Sequence, residues 1–188
     1  MTGRLIVVAG PSGSGKTTIA RALLERNPSL EFSVSATTRE RRPTEEDGKD
    51  YFYLSREDFV RRVEAGDFVE WEEVFGNLYG TLRSEVDRAL RGGRHMLFDV
   101  DVKGALSIKR HYPDALLLFI LPPSREVLEE RLRARRTEEE ATLRRRLERA
   151  TMELSYAGQF DRQIVNDDRE RAIEEAQDIV THYLTTVN

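Results

Sequence analysis

A chain of 188 residues can bury one sizeable core, so a single folding unit is expected rather than two independent domains. With no Cys it can form no disulfide, thiolate metal site or cysteine nucleophile, which fits a reducing compartment. A formal net charge of -4 argues against a dedicated nucleic-acid binder, and with 26 Arg against 4 Lys the placement of the arginines matters more than their number.

The apolar run Leu5 to Ala9 follows a lone Arg and leads straight into glycines, with no polar region or cleavage site. It reads as a buried parallel strand rather than a signal peptide. Gly10-Pro11-Ser12-Gly13-Ser14-Gly15-Lys16-Thr17 comes next, and helical spacing begins at Ile19, Ala20, Leu23 and Leu24. In such a loop the glycines let backbone N–H groups face phosphate oxygens, and the following helix aims its positive end at them. Lys16 adds a movable charge, and Thr17 offers a hydroxyl to the magnesium ion that travels with a nucleoside triphosphate. The strand before the loop and the helix after it supply the context that chance matches to this pattern lack.

Residues 35–84 depart from this strand and helix rhythm. They are rich in aromatics, charges and turn residues such as Gly48, Gly66, Gly76 and Gly80, and predict short strands plus one helix near Arg56 to Ala65 in an inserted binding subdomain. Trp71 and Phe75 are expected in its core. Apolar strands resume at His95 to Val100, at Ala115 to Leu121, which Pro122 and Pro123 stop, and at Gln163 to Val165. Their alternation with helical stretches predicts an α/β fold, a parallel sheet with helices on both faces and ligands beyond the carboxyl ends of the strands. Gly10, Asp99 with Asp101, Ser124, and Asn166 with Asp167 stand at those ends, and one of the two aspartates can hold magnesium through its water shell. Residues 125–156 carry nine Arg, with Val127, Leu128, Leu132, Leu143, Leu147, Ala150 and Leu154 at helical spacing, and read as a helical lid. No apolar run approaches the roughly 20 residues of a membrane helix, so a soluble, cytoplasmic protein is expected.

Serine 33 to proline 43 (SVSATTRERRP), GKDYF at 48–52, Glu70-Trp71 and GNLYGT at 76–81 resemble the corresponding segments of guanylate kinases. The resemblance extends over nearly the whole chain, through the phosphate loop, Asp99 and Asp101, Pro122-Pro123-Ser124 and Val165 to Asp168. It implies a P-loop NTPase three-layer core of residues 1–34, 85–124 and 157–188, a mixed α/β GMP-binding subdomain at 35–84 and a lid at 125–156. It also implies transfer of the γ-phosphoryl group of ATP to GMP with Mg2+, in purine nucleotide metabolism, with no nucleic acid, membrane or obligate protein partner. Arg39 and Arg42, with the hydroxyls of Tyr51 and Tyr79, would then cradle the GMP phosphate. Glu70 would accept from the N1–H and N2–H₂ edge of guanine, Ser35 and Thr81 would serve O6 and its neighbours, and Asp101 would lie close by.

By the same resemblance Lys16, Arg39, Arg131, Arg135 and Arg146 would face the reacting phosphates, and Asn166 and Asp167 the adenine. The chain departs from the family pattern at Arg136, where Gly is common, and at Lys103, where Gln is commoner. The lid arginines also suit i to i+4 pairing with Glu126, Glu129, Glu130 and Glu138 to Glu140 on an exposed helix face. A catalytically inactive binding module of this fold, or a kinase for another small phosphate acceptor, remains open at this point.

Overall fold

The structure is a computed structural model that describes residues 3–74, 76–134 and 140–186. The chain runs β1 (Leu5–Ala9), α1 (Lys16–Arg26), β2 (Leu30–Phe32), β3 (Ala36–Thr37), β4 (Phe52–Tyr53), α2 (Arg56–Glu64), β5 (Phe68–Val74), β6 (Asn77–Leu82) and α3 (Arg83–Arg91). It continues through β7 (His95–Asp99), α4 (Val102–His111), β8 (Leu116–Leu121), α5 (Arg125–Ala134), α6 (Glu140–Leu154), β9 (Arg162–Val165) and α7 (Arg169–Thr185).

Every residue of β1 is buried, as a central strand covered on both faces requires. Leu5, Val7 and Ala9 pack on one side with Phe98, Val102, Ile108 and Phe119. Ile6 and Val8 pack on the other with Ile19, Leu23, Ile164 and Ile173, giving a sheet between two helical layers. The sheet is parallel with strand order β2-β7-β1-β8-β9. The chain therefore leaves β1 toward neighbours on opposite sides, and a crevice opens at their carboxyl ends. Register pairs Val8 with Asp99 and Ala9 with Phe119, which sets the phosphate loop beside the aspartate at the end of β7.

A second, mixed sheet has order β4-β3-β6-β5 and is covered by α2. Phe59 of α2 stacks on Phe68 at 4.3 Å between ring centroids, over Ala36, Leu78 and Leu82. Ser55 starts α2 by accepting from the Asp58 N–H at 3.0 Å. α5 and α6 pack on each other through Leu128, Leu132, Leu143 and Ala150.

Two sequence expectations are corrected. β2 forms a fifth strand at the edge of the parallel sheet, where Leu30, Glu31 and Phe32 pair with β7. Trp71 is not a core residue but 49% exposed, because its neighbours Glu70 and Glu72 alternate with it and take the other face of β5. Phe75, Arg135 and Arg136 lie outside the described residues. Among the described residues no helix is long and apolar enough to cross a membrane.

Candidate active site

The loop between β1 and α1 depends on its glycines. Gly10, Gly13 and Gly15 have φ of 148°, 88° and 94°, conformations that L side chains rarely adopt. A Cβ on Gly15 would stand 2.1 Å from Asn166 Nδ2, and one on Gly10 would stand 2.4 Å from the Ile120 carbonyl oxygen. Pro11 is buried and accepts at its carbonyl from the Ser14 N–H at 3.1 Å, closing the turn, while Ser12 is exposed. No side chain caps α1 at Gly15, and the Thr18 N–H turns back to the Gly15 carbonyl at 3.1 Å, which leaves the N–H groups of Lys16 and Thr17 to face an anion.

Asn166, at the end of β9, donates from Nδ2 to the Ser14 carbonyl at 2.7 Å and so fixes the loop from below. Arg131 of α5 donates to the Asn166 carbonyl at 3.0 Å and reaches the Gly13 carbonyl at 3.5 Å. These residues, with Asp167, line an opening of about 380 Å³ beside the loop. Asp167 accepts from the Asp168 N–H at 2.6 Å and pairs with Arg171, which holds its carboxyl below the usual range.

Thr17 Oγ1 donates to Asp99 Oδ2 at 2.6 Å, and Asp99 Oδ1 is buried with no hydrogen-bond partner. Lys16, one residue before Thr17, has no ion-pair partner among the described residues. Oxygen donors of this kind suit a hard hydrated cation. Among the described residues no three His, Cys, Asp or Glu side chains gather to hold a metal by themselves.

The second sheet presents another set of polar groups. Arg39 donates to Glu45 at 2.8 Å, and its guanidinium lies over the Tyr51 ring at 5.2 Å. Tyr51 packs edge to face on Tyr79 at 6.1 Å. Glu45 also accepts from the Arg42 N–H at 2.9 Å and the Tyr53 hydroxyl at 2.7 Å. Arg39, the Arg42 N–H and Tyr53 together hold the Glu45 carboxyl at about 2. The Arg42 side chain is 71% exposed and stands 4.0 Å from Glu45.

Cross-strand register gathers the remaining residues. Ala36 pairs with Gly80 and Thr81 pairs with Glu70, so Thr81 and Glu70 face each other across β6 and β5, and Ser35 immediately precedes β3 beside them. Thr81 donates to Glu70 Oε1 at 2.7 Å. Asp101 starts α4 by accepting from the Gly104 N–H at 2.7 Å. A Cβ on Gly104 would sit 3.1 Å from Glu70 Oε2 and 3.2 Å from Asp101 Oδ1, so the absent side chain lets two carboxylates meet there. Burial pushes Glu70 up to about 7, and the charge of Asp101 adds to the rise against the opposing Thr81 hydrogen bonds. Glu70 and Asp101 line a cavity of about 720 Å³ between β5, α4 and α6.

The structure thus brings together Ser35, Glu70, Thr81 and Asp101 in one place, Arg39, Arg42, Tyr51 and Tyr79 in a second, and the loop with Thr17, Asp99, Arg131 and Asn166 in a third. Arg146 stands on α6, partly buried, one turn before Arg149. Sequence reasoning missed Glu45, which joins Arg39 to Arg42 and Tyr53. It also missed Glu72, which burial and Asp101 push up to about 7, and Arg149, which meets Glu72 at 3.4 Å and Asp101 at 3.3 Å. Glu72 lies two residues from Glu70 on a strand, which puts it on the same face, a signal the sequence carried.

A family model described as guanylate kinase matches residues 2–183. A guanylate kinase of Chlorobaculum tepidum is 51% identical over 97% of this chain and 94% of its own length. One of Thermotoga maritima is 48% identical over 96% of this chain and 87% of its own length. The crystal structure of guanylate kinase from Anaplasma phagocytophilum superposes with a TM-score of 0.76 at 32% identity, covering 99% of this chain and 88% of the other. The chain belongs to the guanylate kinase family.

Proposed function

We infer that this protein transfers the γ-phosphoryl group of ATP to GMP, giving ADP and GDP. The observation that carries the reading is the pairing of two unlike polar sites in one chain. A glycine loop that ends in Lys16 and Thr17 suits the donor triphosphate, and a buried Glu70 beside Thr81 suits the hydrogen-rich edge of guanine.

The proposed work of each group follows from its chemistry. Residues 35–84 form the acceptor-binding subdomain, and residues 125–156 form the lid over the core. The loop from Gly10 to Thr17, with the first turn of α1, holds the ATP phosphates, and Asn166 and Asp167 border the adenine. Glu70 in its ionised form accepts from guanine N1–H and N2–H₂, while Ser35, Thr81 and Asp101 complete the base contacts. Adenine would leave that carboxylate facing an acceptor, an arrangement that supports discrimination of about 10⁴.

Arg39 and Arg42, with the Tyr51 and Tyr79 hydroxyls, take the GMP phosphate. Its second ionisation lies near pH 6, about that of other phosphomonoesters, so it attacks without a general base. The protein's part is alignment and charge neutralisation, by Lys16 and Arg39 and by Arg131, Arg135 and Arg146 from the lid side, with closure excluding water. Mg2+ held by Thr17, and by Asp99 through water, would neutralise charge on the β- and γ-phosphoryl oxygens. A cytoplasmic location belongs to the same reading, since both nucleotides are needed at once.

The test is a screen of nucleoside monophosphates with ATP and magnesium, read as ADP release. GMP should be the preferred acceptor, and no turnover above background would sink the reading. The substitution Glu70→Gln should lower kcat/KM for GMP about a hundredfold and narrow the gap to AMP. Unchanged discrimination would remove Glu70 from the base site.

A further inference from the structure

Base recognition of this kind needs carboxyl groups that keep a fixed direction, and Glu70, Glu72 and Asp101 stand together on the wall of one cavity. With all three ionised they would repel one another. Asp101 is restrained at both oxygens. Oδ1 accepts from the Gly104 N–H, and Oδ2 lies 3.3 Å from Arg149 Nη2.

The same Arg149 nitrogen lies 3.4 Å from Glu72 Oε2, so one donor serves two acids that also hydrogen-bond each other. The Arg149 guanidinium is itself held. Its Nε donates at 2.9 Å to Glu153, one turn on along α6, whose side chain is only 8% exposed. A fork anchored at one nitrogen and shared by two carboxylates at another defines directions that a freely rotating cation would not.

We propose that Arg149 is a positioning residue for acceptor recognition, holding the Asp101 carboxylate toward the base pocket from α6 while offsetting the charge of Glu72 beside it. The role rests on the ATP:GMP transfer proposed above. Its partners Glu72 and Asp101 stand on the proposed acceptor side, so its effect should fall on one substrate. It also ties the helix that carries Arg146 to the strand that carries Glu70, so placement of α6 and order in the base pocket go together.

The experiment is steady-state kinetics with each nucleotide varied in turn, for the unmodified protein and for Arg149→Met, Arg149→Lys, and Arg149→Met combined with Glu72→Gln. Arg149→Met should raise KM for GMP about tenfold and leave kcat and KM for ATP within about twofold. Arg149→Lys keeps the cation without the fork and should fall between the two. Adding Glu72→Gln removes the like charge facing Asp101 and should recover about threefold in KM for GMP.

An unchanged KM for GMP in Arg149→Met overturns the proposal. So does a parallel rise in both KM values, which is what general loosening of α6 would produce, or a double variant no better than the single one. If the Met variant does not fold, the Lys variant decides, and KM values equal to those of the unmodified protein count against the fork. No transfer by the unmodified protein would overturn the functional reading itself, which separates the two failures.

Discussion

The residues proposed to hold ATP phosphates lie in one contiguous loop, whereas those proposed for the acceptor, Arg39, Glu70, Thr81 and Asp101, come from separate segments. The loop's geometry is set by φ angles at Gly10, Gly13 and Gly15, and its chemistry is mostly that of the peptide backbone. The acceptor side is built from side chains, and each is held by another side chain: Arg39 by Glu45, Glu70 by Thr81, Asp101 by Arg149. The first kind of site tolerates little change in shape. The second tolerates little change in charge.

The sharpest separation should come from Lys16. Lys16→Ala removes the one side-chain cation of the loop and should lower kcat about 10³-fold with little change in KM for GMP, measured in a coupled ADP assay. A fall of less than tenfold would mean that backbone groups alone carry the loop's share of the reaction.

Glu45→Gln probes the other side. It keeps the size of the side chain but weakens its hold on Arg39, the Arg42 N–H and Tyr53, and should raise KM for GMP about tenfold with KM for ATP unchanged. Equal effects on both nucleotides would erase the distinction drawn above.

The smallest effect is on stability. Glu70 titrates at about 7 in the folded protein against an ordinary 4.5, so the fold binds its proton more tightly than the unfolded chain does. The stabilising contribution of the protonated group is complete below pH 4.5 and is lost as pH rises through about 7. In the absence of nucleotide, Glu70→Gln should therefore melt a few degrees higher than the unmodified protein at pH 8, with the difference vanishing near pH 4. The reverse order at pH 8 would show that the ionised carboxylate is the better-accommodated form.

The same contrast explains what the sequence made legible. The loop is contiguous, and Leu5 to Ala9, Met96 to Phe98 and Leu116 to Leu121 are apolar on both faces, so central strands announce themselves. β2 does not, since Leu30, Glu31 and Phe32 are three residues with a charge in the middle, and Phe32 is 48% exposed. Only the edge of β7 makes them a strand. Trp71 was misplaced because an aromatic in a strand suggests core, while on β5 the covered face belongs to carboxylates. Glu45 and Arg149 carry no local signal that marks them as supports, because each is defined by its partners in other segments. Family resemblance supplied the residues expected to touch nucleotide more readily than those that hold them in place.

The exposed Trp71 has a practical consequence. It is the chain's single tryptophan, and it borders the same cavity as Glu70 and Asp101. Under the proposed assignment its fluorescence should report on one substrate of two, far in sequence from the loop proposed for the other. Rapid mixing with either nucleotide alone can then reveal the order of binding without any attached dye.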